Sequence, residues 1–379
     1  MRIVIAPDSF KECLTATQVA EAIATGIRKI YPEVEIIRIP IADGGEGTVE
    51  ALVSATRGKI IPVRSVDALN RPIQSFYGVL GDGETAVIEM AAASGLEKIA
   101  PEERNPMISS TFGTGLLIKA AMEAGFRKII IGIGGSATND GGAGMAQALG
   151  FGLLNQKGKS IGAGGGSLAD VYSINKTHVH TFLREAQITV ACDVRNPLLG
   201  SSGATLVFGP QKCATPEMIK TLEKNMTHFA EILRQEFGIN FAEIPGSGAA
   251  GGLGAGLMAF CNAKIVSGFE LISQLTQLEV HIKQASLVFT GEGKIDSQTA
   301  HGKTISGVAL LGKKHQVPVI ALAGIVTDDL ADLYDQGITS AYTIGDHSMS
   351  PDESMARASE LLTETTARIL QMMELQDKK

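Results

Sequence analysis

Two glycine-rich helix starts and five carboxylate-bearing loops hold the residues of this chain that could do chemistry. The first glycine stretch, GIGGSATNDGGAGM at residues 132–145, contains Gly134, Gly135 and Ser136; the second, PGSGAAGGLGAG at 245–256, contains Gly248, Gly251 and Gly252. The carboxylates are Asp8, the pair Asp43 and Glu46, Asp140, Asp193, and the pair Glu292 and Asp296, interleaved with Lys11, Arg195, Lys212, Lys294 and Lys303. A glycine turn that opens a helix lets an anion meet backbone N–H groups and the positive end of the helix dipole with no Cβ in the way. Taken alone, each turn is equally an ordinary strand-to-helix connection, and each Asp reads first as a cap or turn former. Together, glycine cradles, carboxylates and lysines suit phosphoryl transfer from a nucleotide. Backbone N–H groups hold the phosphates, Mg²⁺ on carboxylates neutralises charge, a lysine meets the transferring group, and one carboxylate accepts the substrate hydroxyl proton. No histidine or cysteine is needed.

These residues need a scaffold, and the periodicity supplies one. Lys128, Ile129, Ile130, Ile131 and Ile133 form a β-branched run before the first glycine stretch, which reads as strand, turn and helix, with Asn139 or Asp140 as the cap. Residues 2–6 and 34–41 read as buried strands, ending in PDSFK and ADGGEGT, with a helix over 15–30 between them. From 59 to 90 the pattern changes to extended runs broken by turn residues, including Gly-Asp-Gly at 81–83, which predicts an antiparallel meander. Further on, the pattern predicts a helix over 113–124, a hairpin at 155–159, a helical segment near 168–185 and a strand at 188–192. A helix over 216–237 follows, capped by Thr215 with Pro216 at its first position. The last third alternates strand and helix from 287, with a closing helix over 354–373. The first two βα units and the last three strands then make one five-stranded doubly wound parallel domain, and the intervening chain an inserted domain with a mixed sheet. By residue, the domains are 1–58 plus 268–379, and 59–267.

Other functions fit less well. Gly302, Lys303 and Thr304 end like a P-loop, yet Ser297 stands where its first glycine belongs. Gly132, Gly134 and Ala137 fit a dinucleotide fingerprint, but FGLLNQ occupies the place of the ribose-binding carboxylate; Gly246, Gly248 and Gly251 also fit one, but Pro245 ends the strand before it. A net charge of −7 disfavours nucleic acid and anionic membrane, and the absence of Trp with 5% aromatics disfavours base stacking. The four cysteines form no C-x-x-C pair, and no run of about eighteen apolar residues appears, so a reduced, cytoplasmic protein is expected.

PDSFK, ADGGEGT, EMAAASGL, STFGTG, GIGGSATNDGGAGM, CDVRNPLLG, FGPQK, PGSGAAGGLGAG and TGEGKIDSQTAHGK occur in this order over nearly the whole chain, which resembles the bacterial type I glycerate kinase family. The resemblance implies an ATP- and Mg²⁺-dependent kinase that phosphorylates D-glycerate at its C2 hydroxyl. It also implies a Rossmann-like domain, an inserted domain and an active site in the cleft between them. Glu12 and Cys213 depart from the pattern, each standing where the family has Gly after DSFK and FGPQK, and each puts a local loop shape in question.

On this reading Gly134, Gly135, Ser136, Gly248, Gly251, Gly252 and Glu292 contact ATP. Asp193 and Asp296 divide the metal and base roles in an order left open, and Lys294 and Lys11 meet phosphoryl charge. Asp8, Asp43, Ser94, Thr114 and Arg195 hold glycerate. Two alternatives stay open: a kinase of a related small hydroxy acid, and a non-catalytic two-domain carboxylate-binding protein. The oligomeric state is open too, a homodimer included.

Overall fold

The computed structural model describes residues 1–11, 13–41, 44–300, 304–327, 329–345 and 349–377. The chain divides into two compact units, Met1–Asp43 with Glu50–Thr56 and Phe269–Lys379, and Gly44–Val49 with Arg57–Gly268.

The first unit is built on a five-stranded parallel sheet in the spatial order Ser340–Thr343, Val319–Val326, Leu287–Ile295, Arg2–Ile5, Glu35–Arg38. Ile3 pairs with Leu287 on one side and Ile36 on the other. Because both sheet faces are covered, the central strands are apolar without alternation: Ile3, Val4 and Ile5, like Val288 and Phe289, have no exposed surface. Helix Ala16–Ile30 starts at a capping box in which Thr15 Oγ1 accepts from Gln18 N while the Gln18 side chain accepts from Thr15 N. Its apolar face buries Val19, Ile23 and Ile27 in a core shared with Leu362 and Ile369 of helix Ala358–Asp377. The closing helix expected over 354–373 is two helices, Pro351–Ala356 and Ala358–Asp377, interrupted at Arg357 (φ −106°, ψ 9°).

The second unit carries a six-stranded mixed sheet, ordered Lys264–Val266, Gln187–Ala191, Lys128–Gly132, Thr85–Glu89, Pro72–Val79, Lys59–Val66. The first four strands are parallel, and the last two attach antiparallel as a meander. Asp82 fixes the turn before Thr85 by accepting from Glu84 N and Thr85 N. Helix Pro216–Phe237 has the expected bounds, with Thr215 Oγ1 accepting from Met218 N and Gly238 left-handed (φ 72°) at its end. Residues 168–185 are not one helix. They form 3₁₀ turns Gly165–Asp170 and Thr181–Arg184 around strand Ser173–Asn175, which pairs with Gly152–Leu154. Val171 and Ile174 bury their side chains under that ribbon, a packing that outweighs the weak helical spacing. No helix among the described residues is long and apolar enough to cross a membrane.

Candidate functional site

In the second unit three motif segments lie against one another at the carboxyl edge of the parallel strands. Gly134 N donates to Gly44 O at 3.0 Å, so GGEGT of residues 44–48 crosses the start of the first glycine turn. The crossing is close enough that a Cβ on Gly132 would stand 2.5 Å from Gly44 O, and one on Gly134 2.6 Å from Gly45 Cα. On the other flank Gly141 N donates to Gly251 O at 3.0 Å. Gly251 (φ +64°) and Gly252 (φ +85°) are buried there, and a Cβ on Gly251 would stand 1.9 Å from Thr138 O. Glycine at 251 and 252 is thus required by backbone-on-backbone packing, whatever else the loop does. Gly248 is also buried, with its N–H on Asn196 O.

Gly135 is different: it is exposed, left-handed (φ +74°), and a Cβ there would meet only Ala91 Cβ at 3.5 Å. It forms the open apex of the turn, where no side chain keeps an anion from the backbone. Leu96 N to Gly135 O (2.9 Å) and Ala137 N to Ser94 O (3.0 Å) stitch this apex to the Ser94 segment. Ser94 and Thr114 have no exposed surface and are bonded to each other, Thr114 Oγ1 to Ser94 Oγ at 2.9 Å, which makes them a brace beneath the turn.

Asp140, fully buried, caps the helix Ala143–Ala148 from outside. Its Oδ1 accepts from Gly142 N (3.1 Å) and its Oδ2 from Gly144 N (3.2 Å) and Thr111 N (2.8 Å). Burial pushes its carboxyl upward, and these N–H groups oppose the shift. Asp140→Asn would turn an NH₂ toward backbone donors that now share Oδ2, and should lower stability by about 2–4 kcal/mol in a urea melt. A stability loss under about 0.5 kcal/mol would show that the network does not anchor the turn. Asn139 instead donates to Thr205 Oγ1 at 3.1 Å. Among the described residues, the Thr138 and Ser247 hydroxyls and Asn139 Oδ1 are buried without a hydrogen-bond partner, leaving polar capacity in both glycine loops.

Two charged groups here stand in the carboxylate and lysine set read from sequence but have no site role assigned there. Lys212, 1% exposed, donates to Ser136 Oγ (2.8 Å) and Thr138 O (2.6 Å). Burial draws its ammonium down to about 7, against the upward pull of Asp140. Glu46 reaches the surface from the crossing segment, and its hydrogen bond to the Glu97 carboxyl pushes it up to about 7. Cys213, beside Lys212, adopts φ +63°, a left-handed conformation in which Gly would be unstrained, so the departure from the family pattern falls on a strained position. Asp193 is half-buried after the strand Gln187–Ala191 and accepts from Ser267 Oγ at 2.9 Å, while Arg195 is exposed.

In the first unit the chain leaves strand Arg2–Ile5 for a neighbour on one side, Glu35–Arg38, and returns on the other through Leu287–Ile295. The carboxyl ends of Arg2–Ile5 and Leu287–Ile295 therefore flank the point at which strand order reverses, the place where open α/β sheets bind ligands. Asp8 N donates to Gly291 O (2.8 Å), and a Cβ on Gly293 would lie 3.6 Å from Lys11 N. Asp8, Lys11, Glu292, Lys294 and Asp296 thus share one edge. Lys294 Nζ lies 2.9 Å from Asp296 Oδ2, and that ammonium, with the Gln298 N–H on Oδ1, holds the Asp296 carboxyl below the usual carboxylate range. Asp43 and Lys303 lie outside the described residues.

Mg²⁺ commonly takes only one or two protein carboxylates and fills its remaining positions with phosphate oxygens and water. Asp193 and the ionised Asp296 each fit as such a ligand, although no cluster of three or more metal-binding side chains occurs among the described residues.

The model of the glycerate kinase family matches residues 3–374. The chain is 47% identical to glycerate kinase of Bacillus subtilis over 99% of its length and 98% of that protein. It is 49% identical to glycerate 2-kinase of Escherichia coli, over 91% of this chain and 90% of that one. A crystal structure of a putative glycerate kinase 2 from Salmonella typhimurium superposes with a TM-score of 0.88 at 44% identity, covering all of both chains. With its full length matched in both sequence and fold, the chain belongs to the glycerate kinase family.

Proposed function

We propose that this kinase transfers the γ-phosphoryl group of ATP to the C2 hydroxyl of D-glycerate, giving 2-phosphoglycerate and ADP. The observation that carries this reading is the 49% identity over 91% of the chain to the Escherichia coli protein named glycerate 2-kinase. The exposed glycine apex at Gly135, between Gly134 and Ser136, suits a phosphate chain, and the Gly248–Gly252 loop packs on Thr138 and Gly141 of the same stretch. One of Asp193 and Asp296 would hold Mg²⁺, which when bound supplies charge neutralisation for the phosphates. Whichever of the two is not engaged in that role accepts the hydroxyl proton. Lys294 and Lys11 meet the phosphoryl charge, Asp8, Asp43 and Arg195 serve the glycerate side, and Ser94 and Thr114, fully buried, act there only through the turn they brace.

The test is a coupled assay of ADP release with D-glycerate and Mg·ATP. Excess EDTA should abolish turnover, and added Mg²⁺ should restore it. Undiminished turnover in EDTA would remove the metal from the reading, and ADP release that ignores D-glycerate would remove the substrate.

A further inference from the structure

A buried lysine is costly unless something compensates it, and both acceptors of Lys212 are neutral oxygens. Their arrangement has a chemical consequence. An ammonium has donors and no acceptor, so Ser136 Oγ must accept from Lys212, and its own proton must point elsewhere. We propose that Lys212 sets the donor direction of the glycine turn, forcing the Ser136 hydroxyl proton away from Nζ and onto an incoming phosphate oxygen. Lys212 is a positioning residue: at 1% exposure its ammonium is screened from ligand, whereas Ser136, at 6%, adjoins the exposed Gly135. The second bond, to Thr138 O, fixes the far side of the same turn. The inference rests on the reading of this turn as a phosphate contact.

The arrangement is sensitive to protonation. The charged group acting on Lys212 is the buried Asp140 carboxylate, and the ammonium titrates at about 7. Below that pH Nζ only donates. Above it the neutral amine carries a lone pair that accepts the Ser136 proton and turns the hydroxyl inward, so phosphate binding weakens as pH rises through about 7. Glu46 titrates in the same window and adds its own slope, which substitution at Lys212 leaves in place.

The test is the Kd for Mg·ATP by calorimetry at about pH 6 and about pH 8.5, with Mg²⁺ in excess so that the phosphate chain stays fully ionised. In the wild-type protein, Kd should rise about tenfold between the two, the equivalent of one hydrogen bond to a charged group. Lys212→Met should bind about tenfold more weakly at the lower pH and lose most of that slope. Lys212→Arg, whose guanidinium does not titrate, should restore the lower-pH affinity and keep it at the higher pH apart from the slope that Glu46 supplies. Ser136→Ala, which removes the hydroxyl without touching the buried lysine, should reproduce the Met variant and serves if that variant does not fold. If Lys212→Met or Ser136→Ala binds with wild-type affinity and slope, the inference is overturned and the phosphate reading stands. If the wild-type protein does not bind Mg·ATP at all, both fall.

Discussion

Asp296→Asn is expected to lower kcat by about a hundredfold or more while the protein still folds, in line with loss of a catalytic acid–base group or a metal ligand. The side chain is partly exposed at the carboxyl end of strand Leu287–Ile295, and its backbone turn persists without the charge. Oδ1 still accepts from Gln298 N at 2.9 Å, and Asp296 N still donates to Thr299 Oγ1 at 3.2 Å. What the amide removes is the ionised carboxylate that Lys294 holds at 2.9 Å. Circular dichroism and a urea melt should match the wild type. Near-normal turnover in this variant would exclude Asp296 from the chemistry and leave Asp193 to carry it.

Gly251→Ala is expected to be among the most damaging single methyls in the second unit, at about 4 kcal/mol or more. Two penalties coincide there. The residue sits at φ +64°, which costs an L-residue roughly 1–2 kcal/mol, and its Cβ would stand 1.9 Å from Thr138 O, a backbone atom that cannot swing away. The contact lies between the two glycine loops, so relief would displace Thr138 and, through it, the Lys212 bond and the Ser136 apex. Gly158→Ala is the control: φ is +71° but nothing lies within 4 Å of the new methyl, and about 1 kcal/mol is expected. Equal losses for the two would show that conformation alone, and not the packing of the loops, demands glycine at 251.

Much of the scaffold was legible because its signals are local. The run at Ile129–Ile131 is buried on both faces of a parallel sheet and reads as such, and helix Pro216–Phe237 announces both ends through Thr215, Pro216 and Gly238. The segment 168–185 was not legible, since its structure is decided by pairing with Gly152–Leu154, a neighbour in space. At the site, the glycines of 132–142 and 245–256 stood out, but sequence does not distinguish a glycine open to a ligand, such as Gly135, from one pressed against backbone, such as Gly251. That distinction needs the partner atoms. Lys212 shows the same limit from the other side. A lysine in a loop reads as solvated, and only the fold reveals that this one is sealed beneath the turn it organises. The carboxylates were placed by the loops that follow each predicted strand, yet the contact of residues 44–48 with Gly132 and Gly134 joins segments nearly ninety positions apart and leaves no periodic trace.

The central claim is a phosphoryl transfer from ATP to one hydroxyl of D-glycerate, and the ³¹P spectrum of the reaction product tests it most directly. Incubation of the full chain with D-glycerate and Mg·ATP should give ADP and a new phosphomonoester signal. Without proton decoupling, that signal should split into a doublet through the single proton on C2. A triplet, from a phosphate on the C3 methylene, would contradict transfer to C2, and ATP left intact beside unmodified D-glycerate would contradict the account as a whole.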